Sequence, residues 1–227
     1  LQFDRFLTED DFNADGSLKA GLPDQTKVFP AGYQFAPGDV LYKDLDNNGE
    51  IVKQTNTNDK GDLSVIGNAL PRLQFGLNLD AAWKGFDISM FFQGVAKRKL
   101  WAAGNQVLPG FTTGEPFYKG AEDYWTPENT DAFYPRPMDY KQSASGNYSV
   151  NDRYLLNMAY LRLKTFTVGY SLPKVWLSKF KVQGLRVYFT GENLFTIDGV
   201  KPAIDPEIGI RTASGKSDQR NFGRSYP

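Results

Sequence analysis

The sequence predicts an all-β fold of antiparallel strands, and three observations carry that prediction. In RLQFGLNLDAAWKGFDISMFFQGV (72–95) the apolar residues recur at every second position: Leu73, Phe75, Leu77, Leu79, Ala81 and Trp83, then Phe86, Ile88, Met90 and Phe92. A period of two sends successive side chains to opposite faces of a strand, so each run has one apolar and one polar face. The composition agrees, since 22 Gly and 13 Pro punctuate a chain in which 15% of residues are aromatic. Finally, the connections alternate between short (84–85, 173–184) and long (98–153, 196–227).

Residues 1–71 read as irregular. FNADGSLKAGLPDQ (12–25) and FPAGYQFAPGD (29–39) are rich in turn residues, YKDLDNNGEI (42–51) is an acidic turn, and QTNTNDKGD (54–62) is polar throughout. The first two strands follow as a hairpin over 72–97, with Lys84-Gly85 as its tight turn. Residues 98–153 read as one long loop with five prolines. YLRLKTFTVGYSL (160–172) is the third strand, and its alternation changes phase between Leu161, Leu163 and Phe166, Val168, Tyr170. A bulge near Lys164-Thr165 accounts for the slip. PKVWLSKFKVQG (173–184) reads as a short helical turn, LRVYFTGENLF (185–195) as the fourth strand, and 196–227 as a polar tail.

Composition excludes several function classes. Lys plus Arg (26) equal Asp plus Glu (26), so no net field favours nucleic acid. The absence of cysteine removes disulfides and thiol chemistry, and the absence of histidine removes the commonest general base and metal ligand. No apolar run reaches the length of a membrane helix, but a mean hydropathy of -0.46 still suits barrel strands, which are only half apolar. The pattern alone leaves two architectures open. One is a membrane barrel, with short periplasmic turns, long extracellular loops and aromatic girdles near Trp83, Phe86, Tyr170 and Trp176. The other is a secreted, carbohydrate-binding β-sandwich, whose strands alternate for the same geometric reason.

Six blocks in order choose between them: PGDVLYKDLDNNGEI, VIGNALPRLQFGLNLDAAWKGFDISMFFQGVAKR, DYWTPENTDAFYPRP, YLRLKTFTVGYSLP, LRVYFTGENLFTI and the closing GRSYP. Together they resemble the C-terminal third of SusC/RagA-type TonB-dependent outer-membrane transporters of Bacteroidetes-like bacteria. The resemblance implies a segment of a large antiparallel transmembrane β-barrel. In this layout 72–97 is a hairpin, 98–153 an extracellular loop, 159–195 two strands with a short periplasmic connection, and 196–227 another extracellular loop. It also implies that the plug, most of the wall and a final strand lie outside the 227 residues. The expected activity is import of glycans or peptides, not enzymatic catalysis. The expected partners are outer-membrane lipid, TonB (through an N-terminal region) and a SusD-like surface lipoprotein as lid. On this reading Leu73, Phe75, Leu77, Leu79, Ile88, Met90 and Phe92 face lipid, and Gln74, Asn78, Asp80, Asp87 and Ser89 face the lumen.

Two groups of residues are candidate sites. Asp44, Asp46, Asn48 and Glu50 follow the D-x-D-x-N-G opening of a calcium loop, where alternate side chains turn hard oxygen ligands inward. The closing position falls on Thr55, so Asp59 or Asp62 is the expected substitute; the alternative is an acidic turn held by its own hydrogen bonds. Trp101, Tyr124 and Trp125, with Phe133 and Tyr134, are candidates for stacking on a substrate, against the alternative that they pack the loop. Asp205 and Glu207 form no catalytic pair, because a glycosidase needs a defined separation across the substrate.

Overall fold

A computed structural model describes residues 1–53, 60–101, 107–111, 120–138, 146–200 and 204–207. Its strands are β1 (Phe3–Phe6), β2 (Val40–Tyr42), β3 (Leu73–Trp83), β4 (Phe86–Ala96), β5 (Lys99–Trp101), β6 (Leu155–Asn157), β7 (Tyr160–Ser171) and β8 (Arg186–Asp198). One short helix, α1 (Lys174–Leu177), precedes a single 3-10 turn at Ser178–Phe180. No helix among the described residues is long and apolar enough to cross a membrane. The chain divides into two compact units, 68–99 with 157–200 and the remainder.

The first of these is a four-stranded antiparallel sheet in the order β3-β4-β7-β8. Lys84 and Gly85 turn β3 into β4 with φ of 48° and 90°. Both lie in the left-handed region that a two-residue hairpin needs to match the strand twist. The pairing Leu77↔Phe92, Leu79↔Met90 and Trp83↔Phe86 then puts the apolar residues of both strands on one face. β4 aligns Ile88 with Val168 and Met90 with Phe166, and β7 aligns Val168 with Phe189.

The phase slip in the third strand is a bulge at Lys164. Phe91 pairs with Thr165 and Phe92 with Leu163, so Lys164 is the extra residue between two consecutive pairs. Absorbing that residue in the bulge returns Leu161 and Leu163 to the face that already holds Phe166, Val168 and Tyr170. β8 carries a further irregularity opposite it, where Asn193 adopts a φ of 52° and Leu163 and Thr165 face Phe195 and Glu192. The result is one apolar face running unbroken across four strands. It is not covered: Leu77 is 49% exposed and Phe189 62%. A sandwich would bury such a face beneath a second sheet.

The other unit gives the segments read as irregular (1–71) and as a long loop (98–153) a core of their own. Its described residues enclose an aromatic-rich cluster of Leu1, Phe6, Val28, Phe29, Val40, Tyr42, Ile51, Trp125 and Ala132. β1 and β2 pair at Phe3↔Tyr42 and Phe6↔Val40, and β2 is buried along its whole length. Arg153 ties two segments together, donating to the carbonyls of Phe133 and Ala132 while its guanidinium lies 4.3 Å from the ring centre of Phe3. Within 98–153 the chain also forms β5, which pairs with β6, and a 3-10 turn at Gly146–Tyr148.

Candidate functional site

The sheet presents two chemically opposed surfaces. Opposite the apolar face stand Asn78, Asp80, Asp87, Ser89, Gln93, Arg162, Thr167, Arg186, Thr190 and Glu192, with Asp80, Ser89, Thr167 and Thr190 in one polar row and Gln93, Arg162 and Thr196 in another. The hydroxyls of Thr167 and Thr190 are 2.9 Å apart, and Arg162 donates to Thr196 Oγ1 at 2.7 Å. Asp87 and Arg186 form an ion pair on this side. At one end of the apolar face Trp83, Phe86, Tyr170 and Val187 are in register, with the Phe86 and Tyr170 rings 4.4 Å apart. The aromatic cluster expected near the short turns is thus a continuous row, and α1 adds Trp176 beyond it. The turn 84–85 and the 172–185 connection lie at that end, whereas Leu73, Ala96, Tyr160 and Asp198 lie at the other.

The acidic loop folds around its own side chains. Asp44 accepts from the N–H of Gly49 at 2.8 Å, Asp46 from that of Asn48 at 3.1 Å, and Asn48 Oδ1 from that of Glu50 at 2.8 Å. The buried Asp62 clamps both ends, accepting from Leu45 N at 2.7 Å and Val52 N at 2.8 Å. Carboxylate oxygens of Asp44, Asp46 and Asp62 lie within 4.8 Å of one another, which makes these three the residues able to hold a hard cation. Desolvation, then Asp44 and Asp62 as neighbours, push the Asp46 carboxyl above its ordinary value. Desolvation also opposes the charge on Asp44, yet backbone N–H groups from Gly49, Asn47 and Asn48 hold its pKa below the ordinary value.

Two of the expected ligands are placed differently. Glu50 turns to the Lys27 ammonium and makes an ion pair there. Asn48 spends its amide on Asp46 Oδ2 at 3.0 Å. Of the two proposed substitutes for the closing ligand, Asp62 joins the cluster, and Asp59 lies outside the described residues.

The three candidate aromatics occupy three environments. Trp125 is only 6% exposed and packs over Gly38, where a Cβ would come within 2.5 Å of its ring. Its faces are taken up by the core, which removes it as a stacking platform. Trp101 ends β5 and is half-buried. Tyr124, at 40% exposed, keeps an accessible ring.

Sequence pattern gave no sign of a buried polar centre beside Trp125. Asp39, fully buried, accepts from Arg136 Nε at 2.9 Å, Tyr33 Oη at 2.9 Å, Asn147 Nδ2 at 2.8 Å and Ala36 N at 2.9 Å. Asn147 Oδ1 in turn accepts from Val40 N at 2.7 Å. Burial, then the Asp39 charge, raise the Tyr33 hydroxyl well above its ordinary range, which keeps it a donor. The centre is structural, joining segments about a hundred residues apart.

No protein-family profile matches the chain. Curated relatives do. The TonB-dependent receptor P3 of Formosa agariphila is 32% identical over 196 residues, covering 84% of this chain and 17% of that protein. The TonB-dependent receptor P26 of the same organism is 34% identical over 188 residues, covering 80% and 18%. The TonB-dependent receptor SusC of Bacteroides thetaiotaomicron is 25% identical over 210 residues, covering 88% and 20%. Among solved structures, the RagAB peptide importer in its open-open state superposes with a TM-score of 0.53 at 22% identity, over 76% of this chain and 18% of that one. The chain therefore spans about a fifth or less of the curated relatives it matches. As a segment of that length, it belongs to the TonB-dependent receptors.

Proposed function

We propose that the four-stranded sheet is a stretch of barrel wall in an outer-membrane importer driven by TonB. Its apolar face meets lipid and its polar face the lumen. The observation that carries this reading is the unbroken, uncovered apolar face, kept on one side through two bulges. β3 and β8 are the edges of this sheet. In hydrocarbon an unpaired edge leaves backbone groups unsatisfied at several kcal/mol each, so both edges pair with further wall strands. The second unit is extracellular, the side on which a SusD-like lipoprotein closes over a glycan or peptide. Tyr124 and Trp101 are its remaining aromatic contacts. We further propose that Asp44, Asp46 and Asp62 bind calcium, which would hold three crowded carboxylates together through oxygen ligands alone.

Labelling of single cysteines on intact cells tests the topology. Glu128→Cys should react with an impermeant reagent, and Gly85→Cys should react only after the outer membrane is permeabilised. The reverse pattern would overturn the assignment. Equal reactivity, in a soluble product, would favour the carbohydrate-binding module instead.

A further inference from the structure

The connection between β7 and β8 is more than a tight link. Over PKVWLSKFKVQG it exposes Trp176 (59%) and Phe180 (77%), with Val175 and Val182 beside them, while only Leu177 is turned inward. Lys174, Lys179 and Lys181 are interleaved with these residues, and all three are exposed. No carboxylate occurs between Ser171 and Gly191. Lys84 adds a fourth exposed cation at the same end, since Ser171 N donates to Gly85 O at 2.8 Å and Leu172 N to Leu185 O at 2.9 Å. No ion pair among the described residues engages any of the four lysines. The one carboxylate nearby, Asp87, is held by Arg186.

Backbone conformation adds an independent point. Lys84 and Lys181 have φ of 48° and 52°, in the left-handed region where glycine or asparagine fits with less strain. Two turn positions that favour small residues thus carry long cations. An ammonium on a flexible stem can follow a headgroup while its methylenes lie along apolar surface. Trp and Phe beside it suit the boundary between headgroups and acyl chains. The apolar row Trp83, Phe86, Tyr170 and Val187 leads straight to this segment, so the cations stand where the apolar face stops.

We propose that this end of the sheet docks on anionic phospholipid: Lys84, Lys174, Lys179 and Lys181 hold headgroup phosphates, and Trp176 and Phe180 insert beneath them. The proposal rests on the barrel-wall reading, which supplies the adjoining lipid. It goes further by assigning the inner-leaflet surface a charge preference and naming the residues that set it. An acidic protein surface would satisfy the same lysines, but it would not call for a continuous apolar row ending at them.

The test uses the full-length protein in detergent and in vesicles. Phosphatidylglycerol should raise the thermal unfolding midpoint at concentrations about ten-fold or more below those at which phosphatidylcholine acts, as expected for several lysines at an anionic surface. Replacing Lys174, Lys179 and Lys181 together by Gln should abolish that preference and leave the phosphatidylcholine response unchanged. A photo-crosslinking residue at position 180 should yield phospholipid adducts in cells. An unchanged preference in the triple variant, or adducts with a protein only, would overturn the proposal and leave the wall reading standing. A protein that does not enter vesicles at all would overturn both.

Discussion

Arg186 on β8 crosses the whole width of β7 to hold Asp87 on β4, with Nε 3.0 Å from Oδ1 and a terminal nitrogen 2.5 Å from Oδ2. The passage exists because position 169, between them, is glycine. A Cβ there would stand 2.5 Å from the guanidinium. The two carboxylate–guanidinium bonds fix the relative position of three strands on the polar face.

Gly169→Ala should therefore act through Arg186. Each of Gly169→Ala and Arg186→Gln should lower the urea midpoint of the vesicle-inserted protein. The double variant should be no worse than the more severe single one. Fully additive losses would show that Gly169 has a separate role.

Leu77 and Asn78 are neighbours on opposite faces of β3. Arg at Leu77 should cost ~2–4 kcal/mol if that site lies near the bilayer midplane, while Arg at Asn78 should be close to neutral. Equilibrium unfolding from vesicles gives both numbers. Equal tolerance would remove lipid from the apolar face.

Asp39→Ala leaves Arg136, Tyr33 and Asn147 without their shared acceptor. Breaking a buried pair from one side costs about 3–5 kcal/mol. Trp125 packs against Gly38, the adjacent residue, so its fluorescence should report the loss during chemical denaturation. Arg136→Met together with Asp39→Leu should recover part of the stability, because no charge is then left unpaired.

Asp11 gives a pH signature. Hydrogen bonds from Arg5 outweigh desolvation, and with Thr8 N–H they hold its carboxyl at about 2, below the ordinary 3.8. The folded state thus favours the charged form. The resulting stability is complete above pH 3.8 and disappears as pH falls through about 2. Asp11→Asn should lower stability at neutral pH, where that contribution is complete, and flatten its loss across the window, so that the two proteins converge at the acid end.

Calcium should raise the unfolding midpoint if Asp44, Asp46 and Asp62 share an ion, and Asp46→Asn should abolish the response. Asp62→Asn should also lower stability without calcium, since Asp62 accepts from Leu45 and Val52. Glu50→Gln should leave the calcium response intact, because that carboxylate pairs with Lys27. A chelator-insensitive protein would reduce the loop to a turn held by its own hydrogen bonds.

How legible these features were depended on how local their causes are. The hairpin at Lys84-Gly85 and the Lys164 bulge follow from the apolar period and its slip, which a reader can count along the chain. The core around Val28, Phe29, Val40 and Ile51 has no period, because irregular segments place side chains by turns and not by repeats. Hence residues 1–71 and 98–153 looked like loops. Whether Trp125 stacks on a ligand or packs stayed open for the same reason: nothing near it in sequence shows that Gly38 lies under its ring. Asp39 and its partners Arg136 and Asn147 are separated by 97 and 108 positions, beyond the reach of any spacing rule. The acidic loop was half legible. Alternation brought Asp44 and Asp46 together, but Lys27 drew Glu50 away.

The bulges can also be seen as frameshifts. β4 runs straight through, β7 carries one residue more than β4 at Lys164, and β8 carries one more again opposite it. Side-chain parity in such a wall behaves like a reading frame, in which a single inserted or lost residue inverts everything downstream until the next correction. Deleting Lys164 would leave plain alternation, with Leu161, Leu163 and Phe166 still on the greasy side and Arg162 on the wet one, whereas keeping Lys164 without its bulge would invert Leu161, Arg162 and Leu163. Length variation in this wall is therefore confined to turns, or to bulges that absorb the added residue and restore the frame before the strand ends.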